Sequence, residues 1–112
     1  MKVLFIPEVV EQFLDLTNAL IDKGYVNFYD EAVEYSQSLF LEVHNTLPVC
    51  VHRTAPPYFE KYGKDLLYAS FKKSKHTTWY VFFNIYVKDN ELIYLVRYIS
   101  NNHVIAQYLY EG

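Results

Sequence analysis

Arg97 lies inside an apolar run, Leu92–Ser100, where strand alternation gives it the parity of Ile93, Leu95 and Ile99. A guanidinium in such a run must reach a carboxylate, a carbonyl or the solvent edge. Aimed at a phosphate, it would clamp it in bidentate fashion. Lys72, Lys73 and Lys75 cluster where a strand-like stretch meets a turn. Alternation sends Lys72 and Lys73 to opposite faces: Lys72 with Tyr68 and Ser70, Lys73 with Leu67, Ala69 and Phe71. The more polar Tyr68/Ser70/Lys72 set suits an open face. His76 and His103 are the general acid–base candidates of this region. These are the parts that cleavage of RNA by its own 2′-OH requires without a metal: cations for the phosphorane charge and groups that move protons. Arg97 would bind the phosphate, Lys72 or Lys75 would meet the developing charge, and His103 would transfer the proton, with His76 as an alternative. Lys73, Tyr98 and Tyr108 are candidates for holding RNA, the tyrosines by stacking on bases. Each residue also has a plainer reading: a solubilising lysine turn, a structural or snorkelling arginine, a surface histidine, and tyrosines that only pack.

Other chemistries find less support. His44, His52, His76 and His103 lack metal-ligand spacing, and Cys50-Val51-His52 alone is weak. No Gly-rich phosphate loop is present, so neither metal nor cofactor is expected. One cysteine excludes an intramolecular disulfide and fits a reducing cytoplasm. The apolar run Val3–Ile6 stops at Pro7-Glu8, short of a secretory leader, and no stretch approaches the ~20 residues that cross a bilayer.

The 112 residues are 52% hydrophobic and 21% charged, which suits one domain over 1–112 with one core. The net charge of −3 argues against strong general affinity for nucleic acid. That average hides an asymmetry. Through Leu47 there are two cations, Lys2 and Lys23, against eight acids; from Pro48 onward there are eight cations and five acids. A basic surface can therefore exist locally.

Several elements must position these side chains. Lys2–Ile6 reads as a strand. Pro7 suits the first turn of a helix in which Val10, Phe13, Leu14, Thr17, Leu20 and Ile21 follow helical spacing, and Gly24 ends it. A second helix begins near Asn27, its predicted N-cap, and ends near Asn45. The short link predicts an antiparallel helix hairpin. Leu47–Pro57 reads as a loop, held irregular by Pro48, Pro56 and Pro57, and Tyr58–Lys64 as one turn closed by Gly63. The period then switches to two: Leu66–Lys73, Thr77–Val87 and Leu92–Ser100 predict an antiparallel meander. Asn102 would cap a last helix over His103–Leu109. The expected class is α+β, order β-α-α-β-β-β with a short C-terminal α. The helix hairpin would cover one face of a small, mainly antiparallel twisted sheet, and the tail part of the other.

Three stretches carry a family likeness: the opening KVLFIPEVVEQFLDLT, the helix FYDEAVEYSQSLFLEV, and the meander DLLYASFKKSKHTTWYVFFNIYVKDNELIYLVRYISNNH. Together they resemble the RelE/ParE superfamily of toxins from bacterial type II toxin–antitoxin modules, over Lys2 to about Leu109. The resemblance implies a cognate antitoxin as partner. It also implies one of two targets: messenger RNA in the ribosome, cut without a metal, or DNA gyrase, bound and not hydrolysed. It further implies a role for Arg97, since the family often places a catalytic arginine on the last strand, and for His103, since some RNA-cleaving relatives keep a His or Tyr there. The chain departs from the RNA-cleaving branch in being acidic, with Arg53 and Arg97 its only arginines. The reading put first is a ribosome-dependent endoribonuclease, with a ParE-like inhibitor of DNA gyrase or a non-toxic interaction module as the alternatives. Aromatics at 19% favour an exposed apolar groove over the sheet or the helix hairpin, where a partner helix would fold on binding.

Overall fold

Proline at the first helical position has no N–H to waste, and the chain turns there from strand to helix. In the computed structural model, which describes residues 1–24 and 26–109, β1 (Lys2–Phe5) runs through Ile6 directly into α1 (Pro7–Asp22). Val9, Phe13 and Leu20 form the buried stripe of α1. The helix ends as predicted, with Gly24 at φ +74° donating its N–H to the Ile21 carbonyl. Helix α2 (Tyr29–Thr46) buries Ala32, Ser36, Leu39 and Val43. Its N-cap is Phe28, one residue beyond Asn27, and no side chain caps it. Asp30 and Glu31 in the first turn face the helix dipole instead. The helices pack as an antiparallel hairpin: Ser36 Oγ donates to the Phe13 carbonyl at 2.7 Å, and Phe13 meets Phe40 edge-on.

Beyond a 3-10 turn at Leu47–Val49, the stretch expected to be loop holds a two-residue strand, β2 (Arg53–Thr54). The prolines bracket this stretch but leave its middle free to extend, and an edge position tolerates them. A 3-10 segment (Pro57–Tyr62) then leads to β3 (Leu67–Lys72), β4 (Thr78–Lys88), β5 (Glu91–Asn101) and α3 (Asn102–Leu109). The sheet order is β1-β5-β4-β3-β2; β1 is parallel to β5 and every other pairing is antiparallel. The fold is thus α+β, a helix pair on a mixed five-stranded sheet. Among the described residues no helix is long and apolar enough to cross a membrane.

Strand β4 explains why both faces of the sheet are apolar. Its Val81 and Phe83 join Val9, Phe13, Leu39, Val43, Val96 and Ile99 beneath the helix hairpin. Its Phe82 points the other way, into a second core with Phe59, Leu66, Ile105 and Leu109. The 3-10 segment and α3 together cover part of the far face.

One irregularity changes a predicted alignment. Phe82 pairs with Tyr98, but Phe83 pairs with Val96, so Arg97 is the extra residue of a β-bulge. Tyr94, Val96 and Ile99 all join the core beneath the helices. The parity shared by Arg97 and Ile99 on paper is therefore broken by the inserted residue.

Candidate functional site

Alternation from Ile93 and Leu95, which pair with Tyr86 and Asn84 on the Phe82 face, carries Arg97 to the far face, away from the helix hairpin; the bulge takes Ile99, and not Arg97, off that parity. Its Nε donates to Asn84 Oδ1 and its Nη2 to Tyr86 Oη at 2.9 Å. Asn84, itself nearly buried, donates its amide hydrogens to the Lys64 carbonyl at 2.8 Å and the Asp65 carbonyl at 3.3 Å. A Cβ on Gly63 would lie 2.7 Å from Arg97 Cδ, so glycine is what lets this chain segment pass over the arginine stem. The guanidinium is thus a bracket that ties β4, β5 and the loop before β3 together through Asn84. This is the structural role for an in-strand arginine, and Asn84 is the partner that the sequence pattern did not single out.

The remaining catalytic candidates gather elsewhere. Lys72 ends β3 on the far face, while Lys75 and His76 occupy the exposed β3–β4 turn. That turn is fastened to the start of α3: Asn102 Nδ2 donates to the His76 carbonyl at 3.0 Å, and Thr78 N–H donates to Asn102 Oδ1 at 2.9 Å. Asn102 is therefore a cross-link, and the cap it was expected to supply comes from Asn101, whose Oδ1 accepts from the His103 N–H at 3.0 Å. His103 Nε2 and Thr77 Oγ1 share a hydrogen bond of 3.0 Å. Lys72, Lys75, His76 and His103 thus occupy one end of the sheet. Arg97 does not join them. Its partners Asn84 and Tyr86 lie six and eight residues along β4 from Thr78, which at strand rise is roughly 20 Å or more. Phe82, Phe59, Ile105 and Leu109 fill the face between. One phosphate cannot be clamped by Arg97 and served by His103 together.

The expected RNA-holding residues are also engaged. Lys73 turns to the helix side, where its Nζ lies 3.1 Å from Glu42 Oε2, as its parity with Ala69 and Phe71 requires. Tyr98 stacks on Tyr62 with centroids 3.8 Å apart and planes at 4°, and Tyr108 stacks on Tyr58 at 3.7 Å and 2°. Each ring already spends a face on a neighbouring tyrosine. Burial first, and then the hydroxyl of Tyr98, push the Tyr62 phenol above its ordinary value near 10. The folded state therefore holds that proton more tightly than the unfolded chain. Stability from this source is complete below about pH 10 and is lost as pH rises further, because the unfolded phenol ionises first. Urea midpoints between pH 8 and 11 should fall more gently in Tyr62→Phe than in the parent; equal slopes would contradict the shift.

Two hollows adjoin the candidates. A mainly apolar cleft of about 550 Å³ lies between α1, the sheet end and the start of α3, with Leu16, Trp79, Thr77 and His103 on its walls and Asp15 and Lys23 also lining it. Trp79 Nε1 donates to Tyr35 Oη in its wall at 2.9 Å. A smaller polar cleft of about 340 Å³ lies on the far face, bounded by Arg53, Tyr68, Ser70 and Tyr80. The sequence pattern gives Arg53 no role beyond being one of two arginines. Its place opposite Tyr68 depends on the short strand β2, which the prolines had masked. Among the described residues no group of three His, Cys, Asp or Glu side chains is placed to hold a metal ion. Comparison with protein-family models, with curated proteins and with solved structures returned no match for this chain.

Proposed function

We propose that the chain is a RelE/ParE-like toxin domain that acts by holding a protein target, in the manner of a gyrase inhibitor, and is itself held by a cognate antitoxin. The kinship is supported by the element order and by a helix hairpin covering one face of the sheet, both implied by the sequence resemblance. The observation that carries binding over cutting is the separation of the charged groups. Arg97 is bound to Asn84 and Tyr86 at one end, and His103 to Thr77 at the other. Induced expression in bacteria with transcript mapping tests the reading. Growth arrest with DNA damage and intact messenger RNA is the expected result, unchanged in Lys72→Ala/His103→Ala and relieved by the antitoxin. Ribosome-dependent cuts in messenger RNA that vanish in that variant would overturn it, and unimpaired growth would leave a non-toxic interaction module.

A second reading, metal-independent RNA cleavage on the ribosome, is favoured by the polar cleft alone. Arg53, Tyr68 and Ser70 share the far face with Lys72, two residues beyond Ser70. In that case Arg53→Ala/Lys72→Ala, and not an Arg97 variant of equal stability, would abolish the cuts.

A further inference from the structure

We infer that the outer groove of the helix hairpin is a docking site for a cationic amphipathic helix of a partner protein. The groove encloses about 580 Å³ and runs along α1 and α2 on the side away from the sheet. Val10 and Leu14 form one wall, and Tyr29, Val33 and Leu41 the other. Leu14 is 66% exposed and Leu41 54%, so two leucines at the centre of a paired-helix surface are left uncovered. The floor is firm. Ser36 bonds the Phe13 carbonyl across the two helices, Phe13 meets Phe40 edge-on, and Phe40 stacks on Phe5 from β1. A groove built in advance spares an incoming helix the cost of ordering it.

Charge selects the occupant. Helices α1 and α2, of 16 and 18 residues, contain no lysine or arginine. Their exposed acids include Glu11 on one helix and Asp30 and Glu34 on the other, adjacent in sequence to the groove residues Val10, Tyr29 and Val33, while Asp15 faces the cleft beside Trp79. Among the described residues none of Glu11, Asp30 and Glu34 makes an ion pair; Glu42, bound to Lys73, is the acid of the hairpin that does. An apolar slot on a helix pair whose charged side chains, histidine aside, are all carboxylates is complementary to a helix with leucine-like anchors flanked by Lys and Arg. The same charge repels a second copy docking hairpin to hairpin, nucleic acid, and an anionic membrane. From Tyr29 to Leu41 the wall runs about 18 Å, which suits an occupant of roughly three helical turns. This inference does not depend on toxicity, and it holds or fails separately from growth arrest.

The probe is a fluorescein-labelled 18-residue helix of leucine and lysine in amphipathic order, compared with its leucine–glutamate counterpart by anisotropy at 50 and 500 mM NaCl. The lysine peptide should bind at least tenfold tighter than the glutamate one. It should weaken at least tenfold for Leu14→Ser/Leu41→Ser, which leaves the charge untouched. Neutralising the nearby charge with Glu11→Gln, Asp30→Asn and Glu34→Gln should weaken it similarly and flatten the salt dependence. The replaced residues are exposed, and urea melts of each variant confirm an intact fold. Equal binding by the parent and the serine variant would mean unspecific charge attraction and overturn the proposal. So would absence of binding, or sedimentation showing that the free chain dimerises through Leu14 and Leu41.

Discussion

Phe82→Ala is expected to cost about 3–5 kcal/mol of folding stability, the usual range for emptying a fully buried phenylalanine site. Phe82 has no exposed surface, and its ring stacks on Phe59 at 4.3 Å between centroids. Around it lie Leu66, Ile105 and Leu109. Neither the 3-10 segment Pro57–Tyr62 nor the eight-residue α3 is held by a sheet ladder. Both pack on the far face against this cluster, so the loss should be felt by the segments that frame the polar cleft. Urea unfolding followed by the fluorescence of the single Trp79, which lies in the other core, measures the effect on the whole domain. A loss below about 1 kcal/mol would mean that the far face is not packed as described.

Arg97→Met is expected to cost about 1.5–3 kcal/mol, the worth of a hydrogen bond from a charged donor to a nearly buried amide. Methionine keeps the stem beside Gly63 and Leu66, so the loss reports the guanidinium and not the packing. Asn84→Ala should cost a similar amount, because it also releases the carbonyls of Lys64 and Asp65. The double variant should cost less than the sum, with a coupling of about 1 kcal/mol or more. Additive losses would show that the two side chains do not act together. Any change in growth arrest on replacing Arg97 should then track the lost stability, whereas a catalytic arginine would lose activity at full stability.

Much of the architecture was legible in the sequence. Pro7, the helical spacing through Phe13 and Leu20, and Gly24 mark α1 within a residue or two, but its buried stripe starts at Val9, and Val10 and Leu14, expected on that stripe, are exposed. The period of two from Leu66 onward marks the meander, and continuous aromatics on both parities of β4 foretold a sheet covered on both faces. The choice of Lys72 over Lys73 for the open face also followed from alternation, and Glu42 now accounts for Lys73. Less legible was β2, because two residues carry no period and the prolines around them read as loop.

The candidate site divides along a physical line. Local pattern determines which elements form and which way a side chain points while the ladder stays regular, since helical and strand periods are properties of neighbouring residues. It does not register one inserted residue, and the bulge at Arg97 is paid for by pairings thirteen and more positions away. Whether a guanidinium meets Asn84 or a phosphate, whether Tyr98 is open or stacked on Tyr62, and whether Arg53 lies beside Tyr68 are questions of long-range contact. The chain alone settled the helix pair, the strands other than β2 and the acidic hairpin. Only the folded arrangement decided that the cations stand apart and that Leu14 and Leu41 stay uncovered, because those outcomes depend on distances between segments far apart in sequence.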